Sequence, residues 1–192
     1  MFSLRISVNK AFFLDRDGVI NTDSHYVHKI EQFEFVPGVF EACRLIQAQG
    51  YKIIIVTNQS GIARGIYSEI DFQTLTTWML KIFRENNIVI SDVLYCPHHP
   101  TEGMAEYKTS CECRKPKPGM ILKGAELHNI DLNESVLVGD RLSDIAAADN
   151  ANIQHKYLIG TTTSDAECIN CTNLQAAVKH FFLSESVINV YS

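Results

Sequence analysis

The sequence predicts an α/β fold, a parallel sheet carrying helices on both faces. Two observations predict it. Short apolar runs rich in β-branched and aromatic residues alternate with segments of helical periodicity, and such alternation implies parallel strand pairing. The residues that carry chemistry, Asp15, Thr57, Cys96 and Asp140, each come at or just after the end of an apolar run. In a parallel sheet those ends share one side, which is where such sheets hold ligands.

The first apolar run, 11–14, reads as a buried strand that stops at Asp15. A polar segment containing His25 and His28 follows, and Pro37-Gly38 then opens a helix on which Val39, Ala42, Cys43 and Ile46 share a face. The β-branched run 53–56 is the second strand, ending at Thr57-Asn58-Gln59-Ser60-Gly61. Ser68 and Asp71 have capping-box spacing, and Phe72, Leu75, Met79 and Ile82 continue an amphipathic helix to Asn86-Asn87. The third strand is expected over 89–95 and runs into Cys96. A long polar loop then reaches Pro118-Gly119, and a helix extends to about Asn129. A fourth strand over 135–138 ends at Gly139-Asp140, a short Ala-rich helix covers 143–150, and 156–159 reads as the last strand. The tail, 161–192, shows one helix near 174–182.

Composition narrows the class. A chain of 192 residues is read as one domain over 1–192, with its core at about 11–160. A hydrophobic fraction of 46% and a charged fraction of 20% fit a soluble globular protein. A net charge of -5 gives no general reason to expect nucleic acid or an anionic membrane as partner, so an anionic substrate needs local basic residues. Residues 1–10 lack the apolar core of a signal peptide, and no run approaches the ~20 apolar residues of a membrane span. A cytoplasmic monomer is the expectation. Six cysteines with three inside 96–113 favour a metal cluster over disulfides.

Two constellations carry the functional reading. In extended chain, Asp15 and Asp17 face one site, and two adjacent carboxylates need a cation or a shared proton. Asp140 adds a third carboxylate at a strand end, with Asp144 one helical turn on. That oxygen-rich set suits Mg²⁺. Thr57-Asn58 offers a hydroxyl and backbone N–H groups to a phosphate-like anion, and Arg114-Lys115 brings positive charge to the same end. These parts suit phosphoryl transfer, which depends mainly on positioning and charge stabilisation. One aspartate would attack phosphorus and the other would handle the proton of the leaving alkoxide, with Lys115 balancing charge. The second constellation is Cys96-Pro97-His98-His99 with Cys111-Glu112-Cys113. Three thiolates and an imidazole suit a closed, tetrahedral, structural Zn²⁺ site.

The order Asp-x-Asp-Gly, Thr-Asn, Lys-Pro and Gly-Asp-x-x-x-Asp, spread over 15–144, resembles the haloacid dehalogenase superfamily of aspartate-nucleophile phosphatases. The resemblance implies a capless Rossmann-like core with Asp15 as nucleophile and Asp17 as acid/base. Mg²⁺ would be held by Asp15, the Asp17 carbonyl and Asp140, with Asp144 as support. Cys-Pro-His-His, Cys-x-Cys-Arg-Lys-Pro and Asn-Gln-Ser-Gly-Ile-Ala-Arg-Gly together resemble the heptose 1,7-bisphosphate 7-phosphatase family over about 11–160. That resemblance implies His98 as the zinc ligand beside Cys96, Cys111 and Cys113. It implies substrate contacts at Asp23, Ser24, His25, Tyr26, Thr57, Asn58, Gln59, Ser60, Arg114, Lys115 and Arg141. It also implies hydrolysis of the C7 phosphate of a heptose bisphosphate in lipopolysaccharide core precursor synthesis.

Alternatives stand beside it. Histidinol-phosphate phosphatases share the zinc pattern with a shorter spacer, and a catalytically silent zinc-stabilised binding module is the reading of another class. No insertion is long enough for a cap domain, so specificity falls to loops 21–36, 60–66 and 96–115. Beyond residue 159 the run Gly160-Thr161-Thr162-Thr163 departs from the Arg-Thr-Gly-like end of the pattern. Cys168-x-x-Cys171 has redox spacing without a second pair, and Arg64 reads either as a contact to a second phosphate or as a solvated charge.

Overall fold

A computed structural model describes residues 8–104, 106–160 and 167–188. Its centre is a six-stranded, all-parallel sheet. The strands are β1 (Ala11–Leu14), β2 (Lys52–Asn58), β3 (Asp92–Cys96), β4 (Val136–Gly139), β5 (His155–Ile159) and β6 (Ile169–Cys171), in spatial order β3-β2-β1-β4-β5-β6. The helices are α1 (Val39–Ala48), α2 (Ser60–Ala63), α3 (Glu69–Glu85), α4 (Gly119–His128), α5 (Leu142–Asn150) and α6 (Leu174–Ile188). No helix among the described residues is long and apolar enough to cross a membrane.

The alternation of side chains along each strand divides the core in two. Phe12, Leu14, Ile53, Ile55, Val136 and Val138 face α1, α3 and α6, whereas Phe13, Ile54, Val56 and Leu137 face α4 and α5. Both faces being covered explains why the central strands are apolar throughout rather than alternating. The strand order reverses direction at β1 and β4, whose registers pair Phe12 with Val136 and Leu14 with Val138. The crevice beyond their carboxyl ends is the switch point at which doubly wound sheets bind ligands.

Four elements depart from the sequence reading. The third strand begins at Asp92 rather than at 89: Ile88 is buried as a plug, and the Val89 N–H is taken by the Gln47 side chain at 2.9 Å, so this apolar stretch is a connector. A sixth strand follows the expected last one, too short and too polar at Asn170 for periodicity to show it. The four residues of α2 lie in the stretch 60–66 that the sequence predicts as loop, a helix too short for any helical repeat to show. The tail helix runs past 182 to Ile188, packing Phe181 edge-on against Phe12 at 5.4 Å, while 161–166 and 189–192 of the tail lie outside the described residues. The capping box expected at Ser68 and Asp71 is present in both directions, at 3.1 and 2.8 Å.

The cysteines of Cys168-x-x-Cys171 separate across the sheet. Cys168 packs into the α4/α5 core and Cys171 into the α1/α6 core, so their spacing on an extended chain makes no shared site. Cys43 is fully buried on α1, and burial first pushes its thiol up to about 12.

Candidate active site

The end of β1 is fixed by the sheet. The Asp15 N–H donates to the Val138 carbonyl at 2.9 Å, which anchors the nucleophile candidate beside β4. Three residues on, Gly18 has φ 86 and lies so close to Asp140 that a Cβ there would come within 2.4 Å of its carboxylate. Only glycine lets the chain turn this tightly over a second carboxylate.

Lys115 is the hub of this group. Its Nζ donates to Asp15 Oδ1 at 2.9 Å and to the Val56 carbonyl at 2.8 Å, and lies 2.6 Å from Asp144 Oδ1. Burial works against its charge, but Asp144 and Asp15 outweigh burial and raise its pKa. Burial likewise raises Asp15, up to about 8; Lys115 pulls it down while Asp144 and Asp17 push it further up. Asp140 is also raised, first by burial and then by Asp144.

The donor set fits a divalent cation. Asp15, Asp140 and Asp144 each present an oxygen within 4.8 Å of the others. Asp140 Oδ1 is buried with no hydrogen-bond partner among the described residues. With all three carboxylates ionised against one ammonium the group carries an excess of two negative charges, which a divalent cation of the kind this oxygen set prefers would offset. Asp144 has both oxygens engaged, one by Lys115 and the other by the Arg141 N–H at 3.0 Å.

Asp17 has a different set of partners. Arg16, 1% exposed, grips it through Nε at 3.2 Å and Nη2 at 2.8 Å, and Asn21 and Gln59 each donate an amide hydrogen at 3.0 Å. The same Arg16 Nη2 donates to the Val27 carbonyl at 2.8 Å, tying the acid/base candidate to the loop after β1. Gln59 also donates to Thr57 Oγ1 at 2.9 Å and accepts from the Tyr67 hydroxyl, whose ring stacks on His28 at 5.1 Å.

A cavity of about 490 Å³ opens over this group. Of the residues expected to contact substrate, His25, Tyr26, Thr57, Asn58, Gln59, Ser60, Arg114, Lys115 and Arg141 line it. Asp23 stands at its rim, accepting from Arg141 Nη2 at 2.9 Å, and Ser24 is exposed outside it. His25 and Tyr26 adopt left-handed backbone, φ 62 and 52, at a cost of order 1–2 kcal/mol each for residues with a Cβ. The Asn58 amide is committed to the Lys115 backbone in both directions at 3.1 Å, so it splices β2 to the lysine loop.

That loop carries the second cluster. Cys96 Sγ lies 3.5 Å from Cys111 Sγ and 3.7 Å from His98 Nδ1, and Cys113 Sγ lies 3.3 Å from Cys111 Sγ and 3.5 Å from His98 Nδ1. A tetrahedron with ~2.3 Å metal–sulfur arms has edges of about 3.8 Å, so the four atoms stand where one small ion would collect them. Hydrogen bonding from Cys96 first, then from His98, draws the Cys113 thiol down to about 5, while the Cys113 bond and burial push Cys96 up. His99 points elsewhere: its Nδ1 accepts from the Glu102 N–H at 3.0 Å. Arg114 Nη1 donates to the His98 carbonyl at 3.1 Å, which connects the cluster to the cavity.

Sequence reasoning missed Arg16, Asn21 and Tyr67. An arginine between two aspartates reads as surface charge, and no pattern announces its burial. Arg64, left open there, lines the cavity.

Comparison with known proteins gives a consistent grouping. A HAD-hydrolase-like family model matches residues 112–176. The chain is 50% identical over 151 residues to the D-glycero-beta-D-manno-heptose-1,7-bisphosphate 7-phosphatase of Vibrio cholerae, covering 79% of this chain and 81% of that protein. It is 46% identical over 151 residues to the Escherichia coli K12 protein of the same name, covering 79% of each. In structure it resembles the D,D-heptose 1,7-bisphosphate phosphatase of B. bronchiseptica, solved with magnesium and phosphate, with a TM-score of 0.77, 30% identity and coverage of 91% of this chain and 99% of that one.

Proposed function

The chain belongs to the heptose-1,7-bisphosphate 7-phosphatase family of HAD-like hydrolases, and from that premise we propose that it removes the C7 phosphate of D-glycero-D-manno-heptose 1,7-bisphosphate and leaves the C1 phosphate in place. The setting is cytoplasmic synthesis of lipopolysaccharide core precursors. A small sugar phosphate is the partner, and neither nucleic acid nor a membrane surface is called for. The observation that carries the reading is Lys115, buried between Asp15 and Asp144 at the switch point of the sheet and facing the cavity.

In this reading the Asp15 carboxylate attacks the C7 phosphorus in line and the C7 oxygen departs, leaving a phospho-aspartate on Asp15. Asp17 gives that oxygen its proton. In the second half Asp17 takes a proton from water, which attacks the phospho-aspartate, releases phosphate and restores Asp15. The Arg16, Asn21 and Gln59 donors around Asp17 suit the carboxylate that this second half requires. Thr57 and Lys115 steady the transferring oxygens, and Asp144 keeps the Lys115 ammonium aimed. Mg²⁺ held by Asp15, the Asp17 carbonyl and Asp140 would neutralise charge on the phosphate and on the nucleophile. Zn²⁺ held by Cys96, His98, Cys111 and Cys113 would have no position left for water or substrate, so its part would be structural. The functional unit is a single-domain monomer.

The test is phosphate release from both anomers of the heptose bisphosphate beside histidinol phosphate, with and without Mg²⁺. Mg²⁺-dependent turnover with heptose 1-phosphate as product is expected. Equal or better kcat/KM on histidinol phosphate overturns the substrate.

A further inference from the structure

Gln59 stands beside the candidate acid/base, 2% exposed, with its backbone N–H donated to the Cys96 carbonyl at 2.8 Å. Its side-chain nitrogen lies 3.0 Å from Asp17 Oδ2 and 2.9 Å from Thr57 Oγ1. A carboxylate can only accept, so the nitrogen and not the oxygen of this amide has to face Asp17. Both amide hydrogens are then engaged, one by Asp17 and one by Thr57, and none is left to give to a substrate. The amide oxygen is turned the other way and accepts from the Tyr67 hydroxyl.

Tyr67 is built into place for that contact. It is 6% exposed, and burial first raises the pKa of its hydroxyl, so the hydroxyl keeps the proton it donates. A Cβ on Gly61 would come within 2.1 Å of Tyr67 Cε1, so the ring reaches Gln59 only because residue 61 is glycine. The ring also packs with Ile62 and Phe72 and stacks on His28 at 5.1 Å. Without the Tyr67 hydroxyl, the buried amide oxygen of Gln59 loses this donor. The side chain could then turn to seek another, carrying its nitrogen away from Asp17.

We propose that Tyr67 is a positioning residue for the proton transfer: acting through Gln59, it holds the Asp17 carboxylate where the leaving oxygen receives its proton. The inference rests on the phosphatase reading above, in which Asp17 gives that proton. Arg16 and Asn21 reach Asp17 from within four residues of it, so they orient its carboxylate inside its own loop. Gln59 comes from the residue after β2, and its one nitrogen bonds Asp17 and Thr57 together. That nitrogen therefore sets the acid/base against the hydroxyl offered to the phosphate, and Tyr67 keeps the nitrogen there. A positioned group displaced by ~1 Å can lose much of the rate it supports.

The experiment measures kcat and KM on heptose 1,7-bisphosphate, and single-turnover phosphorylation by an aryl phosphate, whose phenolate leaves without a proton. The wild-type protein, Tyr67→Phe, Gln59→Met and the double variant are assayed as whole chains with Mg²⁺. Tyr67→Phe keeps the ring and its stacking on His28, so the melting transition should be retained. It is expected to lower kcat on the sugar roughly 10-fold with KM nearly unchanged, and to slow the aryl phosphate markedly less. Gln59→Met should lower kcat on the sugar at least as far. Adding Tyr67→Phe to it should cost nothing more, because the hydroxyl acts only through the amide. Normal kcat in Tyr67→Phe, equal losses on the two substrates, or an undiminished Tyr67→Phe effect in the Gln59→Met background overturns the inference and leaves the phosphatase reading intact. A wild-type protein that turns over neither substrate sinks that reading, and the inference with it.

Discussion

The two candidate metal centres are built in opposite ways. The carboxylate centre stands on regular structure: Asp15 follows β1, Asp140 follows β4 and Asp144 lies in the first turn of α5. In the Cys/His centre only Cys96 ends a strand. Among the described residues no helix or strand lies between Cys96 and Gly119, and the loop is carried by scattered turns such as His99 N–H to Tyr107 carbonyl and Gly119 N–H to Glu112 carbonyl. The sheet prepares the first centre whether or not an ion arrives. The second depends more on an ion, because three sulfurs within 3.5 Å of a neighbour repel once ionised and only a bound cation would offset that repulsion. In the proposed mechanism chemistry rests on the first centre, and the second would set the aim of Arg114 and Lys115, which follow Cys113 directly.

The largest effect expected tests the prebuilt side. Asp15→Asn keeps the shape and removes the attacking charge, so turnover should fall by more than about 10⁴-fold with the melting transition retained. A beryllium fluoride adduct should form on residue 15 of the wild-type protein. An adduct on another residue, or substantial turnover in the mutant, breaks the assignment. The next effect tests the assembled side. Cys113→Ala, or zinc removal by chelation, should lower turnover about 100-fold, since a positioned charge displaced by ~1 Å can cost that much. Mg²⁺ affinity in the same protein should persist. Near-normal turnover in a zinc-free protein would erase the contrast, and lost Mg²⁺ binding would make the loop a support for the whole fold.

The smallest effect is a matter of pH. With Asp15 raised to about 8, the metal-free folded protein keeps a proton that the unfolded carboxylate, at 3.8, has released. The folded state binds more protons between those values, so this group's contribution to stability falls as pH rises through that window. Mg²⁺ must expel the same proton. Its affinity should climb up to ~10-fold per pH unit toward pH 8 and level off above it. Calorimetric titration at about pH 6 and pH 8 reads this directly. A flat profile would mean that Lys115 keeps Asp15 ionised throughout. The Zn²⁺ site offers a control, because its loss on acidification should track thiol protonation.

The prebuilt centre was also the legible one. Apolar runs ending in Asp15, Thr57 and Asp140 announced strand ends, and strand ends share one side of a parallel sheet, so the meeting of these residues followed from topology. The clustering of Cys96, His98, Cys111 and Cys113 was legible for a different reason, since thiol and imidazole spacing is chemical rather than conformational. Partners set by tertiary packing were not legible. Arg16 on Asp17, Gln59 between Thr57 and Tyr67, and Asn58 on the Lys115 backbone are contacts whose sequence separations run from 1 to 57 residues. No local pattern encodes which side of a polar stretch turns inward. The strand β6 was hidden because three residues are too few for alternation to register.

The loop after β1 has one more consequence. It is pinned at one end by Asp23 on Arg141 and at the other by the Val27 carbonyl on Arg16, while Ser24, His25 and Tyr26 between the pins are exposed. Both anchors belong to residues that also hold a carboxylate of the candidate site, Arg16 gripping Asp17 and the Arg141 N–H holding Asp144. The three positions between them can change in size and polarity during divergence without disturbing a catalytic distance. A lineage could thus move from one sugar to another by redrafting three codons, keeping its reaction while changing its diet.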